Sequence, residues 1–203
     1  MFCGSSPGRR PVYAERAADF GRLLAERGIG IVYGGASVGM MGALADGALR
    51  AGGEVIGVIP KRLLESEIAH AGLTELRIVD TMHERKALMS ELSDGVVALP
   101  GGSGTLDELF EMFTWGQLGL HRKAIALLNI ENYWDPLLAF IDHMVQERFL
   151  WAEHRDAIIV EHEPVALLDR LKTFEPRLRE KWIDRGQNVP NTRSPASPSP
   201  GRM

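Results

Sequence analysis

Short apolar runs alternate along this chain with longer helical patterns, and that alternation restricts the fold more than any other feature. The runs read as strands fall at residues 30–33, 55–59, 76–79, 95–99, 124–128 and 157–160. Several are near-continuously apolar, as strands covered on both faces of a parallel sheet are. Between them, Met41, Leu44, Ala45, Ala48 and Leu49 recur at i, i+3, i+4 spacing, and Leu106, Leu109, Phe110 and Phe113 repeat the pattern further on. The expectation is an α/β fold built of βαβ units: Rossmann-like and doubly wound, with a mainly parallel sheet and helices on both faces.

A length of 203 residues suits one domain with a small appendage. The domain is expected at residues 1–185. Its opening is short, because Met1-Phe2-Cys3 leads straight into Gly4-Ser5-Ser6-Pro7-Gly8, so the first strand is expected to be truncated or nearly absent. Residues 186–203 hold four prolines and three serines with almost no apolar content, the composition of a disordered tail.

Composition removes several classes of function. A net charge of −4 argues against a general nucleic-acid binder, whose affinity rests on a basic surface. No apolar run approaches the ~18 residues of a membrane span, and no charged-then-apolar signal segment opens the chain. The one cysteine, Cys3, allows neither an internal disulfide framework nor a Cys-cluster metal site. The histidines at positions 70, 83, 121, 143, 154 and 162 show no metal-ligand spacing. A soluble, cytoplasmic protein without metal, membrane or nucleic-acid partner is expected.

Glycine is in excess: 22 of 203 residues, against roughly 7% in ordinary proteins. Part of it lies where a strand passes into a helix. The segment Tyr33-Gly34-Gly35-Ala36-Ser37-Val38-Gly39-Met40-Met41-Gly42 fits no dinucleotide-binding register. Its glycines let backbone approach a ligand, and the following helix offers free N–H groups to phosphate. Gly35-Ala36-Ser37-Val38-Gly39 also matches the G-x-S-x-G nucleophile elbow. Phosphate or sugar contact, a plain tight turn, and a nucleophilic Ser37 all stand as readings of it.

Pro100-Gly101-Gly102-Ser103-Gly104-Thr105-Leu106-Asp107-Glu108 is the stronger segment, since it follows an apolar strand and opens an amphipathic helix. Thr105 and Glu108 have the T-x-x-E spacing of a capping box, which explains the helix start but not three glycines before it. Backbone N–H groups there can wrap an anion. No Walker lysine follows either loop, which excludes nucleoside-triphosphate hydrolysis of that type. In Met82-His83-Glu84-Arg85-Lys86, a surface charge run and a ligand-facing helix start are both open. Arg85 would offer a bidentate fork and Lys86 a point charge.

With Arg85-Lys86 and the Pro100–Glu108 run in view, residues 2–171 resemble the LOG ("lonely guy") family of cytokinin-activating phosphoribohydrolases, often labelled lysine decarboxylase-like. Cys3-Gly4-Ser5-Ser6 is similar to the family's opening loop, Gly34–Gly42 to its second glycine loop, and Thr114-Trp115-Gly116-Gln117-Leu118-Gly119 to its helix continuation. Ala36 stands where a third glycine is common and Met40 where Leu is usual. The resemblance implies cleavage of the N-glycosidic bond of a purine nucleoside 5′-monophosphate, a cytokinin riboside 5′-monophosphate or AMP, to free base and ribose 5-phosphate. It implies Arg85 and Glu108 as the catalytic pair, Glu67 at the base end and Lys86 as a substrate contact. Gly102, Ser103, Gly104 and Thr105 would hold phosphate within the binding run Gly101–Asp107, which includes Leu106 and Asp107. Thr114, Ser5, Gly34, Gly35 and Gly39 match further ligand positions.

The chemistry is consistent with those residue types. A departing purine leaves an oxocarbenium-like ribosyl cation, which a carboxylate near C1′ stabilises or helps water to attack, by analogy with glycoside hydrolysis. No metal or organic cofactor is required. Two other classes compete: a non-catalytic nucleotide or molybdenum-cofactor carrier on the same fold, which has no need of both Arg85 and Glu108, and a serine esterase using Ser37. Phe113, Trp115 and Leu118 on the long helix suggest a core or a subunit contact, and so a homodimer.

Overall fold

The computed structural model describes residues 1–64 and 69–175. Glu67 and the expected tail at 186–203 lie outside the described residues. The elements run α1 (Val12–Glu26), β1 (Ile31–Tyr33), α2 (Gly39–Arg50), β2 (Val55–Pro60), α3 (Lys61–Leu64), β3 (Glu75–Val79), α4 (Met82–Glu91) and β4 (Gly95–Ala98). They continue with α5 (Ser103–Gln117), β5 (Ala124–Leu128), α6 (Asp135–Gln146), α7 (Ala152–Asp156), β6 (Ile158–Glu161) and α8 (Pro164–Lys172). The six expected strands are all present, each within a residue of its expected bounds.

All strand pairs are parallel, in two three-stranded sets ordered β1-β2-β3 and β4-β5-β6. The first residues of the chain lie between the sets. Met1 N donates to Val32 O at 2.6 Å on the β1 side. On the β4 side, Phe2 N donates to Val97 O at 3.0 Å and Leu99 N to Phe2 O at 2.9 Å. The expected short first strand is therefore a single parallel bridge, Phe2 with Ala98, at the centre of the layer.

Alternation along the strands explains why they read as continuously apolar. Ile31 and Tyr33, Val97 and Leu99, and Ala126 and Leu128 enter one core with α1, α2 and α8 through Phe20, Leu24, Leu44 and Leu167. The intervening Val32, Val96, Ala98, Ile125 and Leu127 enter a second core with α4, α5 and α6 through Met89, Leu109, Met112, Phe113 and Ile141. Successive side chains point to opposite faces, and both faces are covered, which makes the sheet doubly wound. β3 lies at the end of its sheet and is mostly exposed, with an Arg77–Glu75 ion pair of the kind that blunts an edge strand.

Phe113 is only 8% exposed within this core, and Trp115 packs partly buried against it. Phe113 belongs to the core, while Trp115 and Leu118 are half-buried and keep part of their surface exposed. Among the described residues no helix is long and apolar enough to cross a membrane.

Candidate active site

The cleft at the carboxyl ends of the strands is built from three segments. Cys3, Gly4 and Ser5 form one wall, Gly102, Ser103, Gly104, Thr105, Asp107 and Glu108 a second, and Met82 and Arg85 a third, with Met41 and Leu63 completing it. Its volume is about 270 Å³. Ligands gather at this edge of open parallel sheets. A larger groove of about 630 Å³ runs past Glu153, Asp156, Arg170 and Glu175, but it holds none of the glycine-loop residues or the Arg85–Glu108 pair.

α5 starts earlier than the capping-box reading implied. Its N-cap is Gly102, with no side-chain hydrogen bond to the cap. Thr105 is the third helical residue and is buried, and Glu108 is in the second turn. The T-x-x-E spacing at 105–108 is thus not a capping box: the glycines carry the chain into the helix without a cap, and the first N–H groups have no partner within their own helix. A box of that sequence type instead opens α4. Glu84 N donates to Thr81 Oγ1 at 3.1 Å, and Glu84 Oε2 accepts from Asp80 N at 2.8 Å. This start sets the position of Arg85, one residue on.

Arg85 is buried and held on several sides. Its Nε donates to Val58 O at 3.1 Å, one terminal nitrogen to Gly34 O at 3.3 Å, and the other meets Met82 Sδ at 3.7 Å. The nitrogen facing Gly34 also stands 3.9 Å from Glu108 Oε1. Gly34 has a specific reason to be glycine: a Cβ there would lie 2.0 Å from the Arg85 guanidinium. Burial pushes the Glu108 carboxyl above the usual carboxylate range, against the opposing pull of Arg85. Cys3, at the same floor, is buried and its thiol is pushed up to about 12 by burial, so it is not a poised nucleophile.

Other residues singled out from sequence fall nearby or behind. Lys86 does not line the cleft: its ammonium reaches Asp107 at 3.1 Å and Glu111 at 3.0 Å. Burial lowers its pKa, but hydrogen bonds to Glu111 and Asp107 outweigh it, and the net direction is up. Leu106 packs into the core beneath α5. Thr114 is exposed on α5, on the ridge that Asp107 and Glu111 share by helical spacing, and not in the cleft. Gly101 lies behind its neighbours, over the Thr105 side chain.

The second glycine loop supports the site from behind. Gly34, Gly35 and Gly39 do not line the cleft. The first N–H groups of α2, from Met40 and Met41, donate to Gly4 O at 3.1 and 3.3 Å, so those donors are used internally and are not offered to phosphate. Gly39, at φ 62°, lets α2 start directly against the Ser5 carbonyl, which a Cβ would meet at 2.2 Å. Ser37 is likewise absent from the cleft lining, so the elbow-like pattern is a helix entry turn. Met82 and Leu63, which do line it, had no chemical signal in the sequence. Among the described residues no cluster of His, Cys, Asp and Glu is arranged to hold a metal ion.

The family model described as "Possible lysine decarboxylase" matches residues 41–171. A cytokinin riboside 5′-monophosphate phosphoribohydrolase of Rhodococcoides fascians is 50% identical over 161 residues, covering 79% of this chain and 81% of its own. One from Arabidopsis thaliana is 45% identical, covering 95% and 92%. A probable enzyme of that name from Oryza sativa subsp. japonica is 40% identical, covering 100% and 85%. Among solved structures, the molybdenum cofactor binding protein of Rippkaea orientalis superposes with a TM-score of 0.63 over 84% of this chain and 93% of its own, at 21% identity. That likeness is one of fold.

Proposed function

Because the chain belongs to the LOG family of phosphoribohydrolases, we infer that it is a hydrolase of nucleoside 5′-monophosphates, releasing free base and ribose 5-phosphate. The observation that carries the assignment of residues is the Arg85–Glu108 pair, 3.9 Å apart, in one cleft with the uncapped start of α5.

In this reading the nucleotide phosphate lies on the N–H groups of Ser103, Gly104 and Thr105, where helix dipole and free donors favour an anion. The ribose then reaches Glu108 one turn further along the helix. The C1′–N9 bond breaks and its electron pair leaves on the purine. Water adds to C1′ while Glu108 takes one of its protons, and that proton neutralises the departing base. A carboxyl held above its ordinary range is a stronger base for this purpose. Arg85 contributes a fixed charge that keeps the carboxylate available. Remote binding of the phosphate holds C1′ in place for the attack. Asp107 and Ser5 line the same space and are proposed as ribose and phosphate contacts. Glu67, outside the described residues, keeps the role at the base end that the family resemblance implies.

The base is a purine, either adenine or an N6-substituted adenine. We place the enzyme in the cytoplasm as a homodimer. Large side chains that suit a contact are exposed outside the core, Phe149 at 83% and Leu120 at 68%. The deciding experiment incubates the purified protein with AMP, isopentenyladenosine monophosphate, GMP, CMP and the unphosphorylated nucleosides, and separates the products by chromatography. Free adenine-type base from the 5′-monophosphates, and none with Glu108→Gln, is the expected result. Intact bound nucleotide would overturn the reading.

A further inference from the structure

A third support of the α5 loop comes from a tyrosine far along the chain. The Tyr133 hydroxyl donates to Gly101 O at 2.6 Å. It completes a pattern over three successive carbonyls. Pro100 O accepts from Gly4 N at 3.0 Å, Gly101 O accepts from Tyr133, and Gly102 O accepts from Leu106 N at 3.1 Å. Each acceptor of the loop is engaged by protein, while the helix start beyond it has no side-chain cap. A carbonyl oxygen left free to turn into the cleft would present a negative pole to a phosphate. Gly101 is also confined from below, since a Cβ there would lie 2.1 Å from Thr105 Oγ1.

Tyr133 is placed by a turn that local preference opposes. Glu131 and Asn132 both have left-handed backbone, at φ 54° and 60°, a region uncommon for non-glycine residues and kept only where surroundings impose it. Here they do. Asn129 Oδ1 accepts from Trp134 N and its Nδ2 donates to Asp135 Oδ1, both at 2.7 Å. Glu131 pairs with Arg10. The Tyr133 ring stands edge-on to Trp134 at 5.0 Å and to Tyr13 at 5.9 Å.

We propose that Tyr133 is a positioning residue for the phosphate end of the cleft: by holding the Gly101 carbonyl it leaves the loop's amides, and not its acceptors, to meet the anion. The proposal rests on the reading of that loop as the phosphate site. The test is Tyr133→Phe, which keeps both ring contacts and removes the hydroxyl alone. Calorimetric titration with ribose 5-phosphate, with ribose as control, reads the phosphate end without turnover. The expected result is a Kd for ribose 5-phosphate raised about five- to tenfold, the scale of one lost hydrogen bond. KM for AMP should rise by the same factor with kcat within about twofold, the pattern of lost uniform binding. An unchanged Kd for ribose 5-phosphate, or a lower Tm with unchanged Kd, overturns the proposal by leaving Tyr133 a structural staple only. Absence of base release by the unsubstituted protein would instead overturn the hydrolase reading, and the titration would still decide on Tyr133.

Discussion

Arg85 and Glu108 stand 3.9 Å apart, both nearly buried, without a hydrogen bond between them. The distance follows from how each is held. Arg85 spends its donors on Val58 O and Gly34 O, while Glu108 is carried by α5 and desolvated at the cleft floor. A closer bidentate pair would be a stable ion pair with no free oxygen. The wider spacing leaves the carboxylate open to a water molecule and still beside a positive charge.

Replacing Glu108 with Gln is therefore expected to lower kcat about 10²-fold or more, the usual scale for one positioned acid–base group. Arg85→Ala should cost a similar factor, as loss of one oriented electrostatic group does. Adenine release from AMP by the purified variants checks both.

The same carboxyl sets a pH dependence with two opposite signs. Burial raises its pKa in the folded state, so hydrolysis should fall as pH drops through a value above the ordinary glutamate one. For stability, a raised folded pKa gives a contribution fully present below the unfolded pKa and lost as pH rises through the folded one. Ionised Glu108 is a destabilising group at neutral pH. Glu108→Gln should unfold at a higher temperature than the parent at pH 7.5, with the difference shrinking toward pH 4. Thermal melts across that range measure it, and a lower Tm for the variant at pH 7.5 would show that Arg85 dominates burial.

Most of the fold was legible because the strands feed two cores at once. Ile31 and Tyr33 go to one face and Val32 to the other, and a doubly covered strand must then be apolar throughout. The loop before α5 stood out because three glycines exceed what a helix start needs. Arg85 and Lys86 instead follow Asp80 and Thr81 with no glycine turn, so residue type alone left them between a surface charge run and a ligand-facing helix start. What could not be read was which free N–H groups remain free. The Gly34–Gly42 loop and the Gly101–Gly104 loop look alike in sequence, yet Gly4 O takes the first amides of α2 and no side chain caps α5. That difference is made by contact across 35 residues of chain. The Tyr133 hydroxyl on Gly101 is invisible for the same reason.

Phe113 offers a test of core against interface. It is buried within the chain, beside Met112, Ile125 and Ile158, so Phe113→Ala should cost about 3–5 kcal/mol of stability in chemical unfolding, at any protein concentration. If the residue sat between subunits instead, the variant would dissociate in light scattering with its unfolding midpoint nearly preserved.

Lys86 is expected to act on α5 and not on the ligand. Lys86→Met removes the partner of Asp107 and Glu111. Asp107 is well exposed, which limits the cost of leaving it unpaired, so roughly 1–2 kcal/mol of stability should be lost, more than a surface pair and less than a fully buried one. KM for AMP should rise through the displaced Asp107, with kcat changed less. A kcat loss as large as that of Arg85→Ala would place the ammonium in the chemistry itself.

Gly34→Ala separates the position of Arg85 from its charge. The added methyl would lie 2.0 Å from a guanidinium nitrogen and 3.0 Å from Met41 Sδ, so the arginine must leave the place where Val58 O and Gly34 O hold it. The charge stays in the protein but no longer beside Glu108. If the 3.9 Å relationship is what supports hydrolysis, this one-carbon change, on a residue that touches no substrate, should reduce kcat nearly as far as Arg85→Ala. The folded state should survive, because the guanidinium can move into the cleft and be solvated there. Circular dichroism establishes folding and base release establishes rate. A folded Gly34→Ala enzyme with near-parental kcat would mean that Arg85 contributes only its net charge, and that its geometry with Glu108 is incidental.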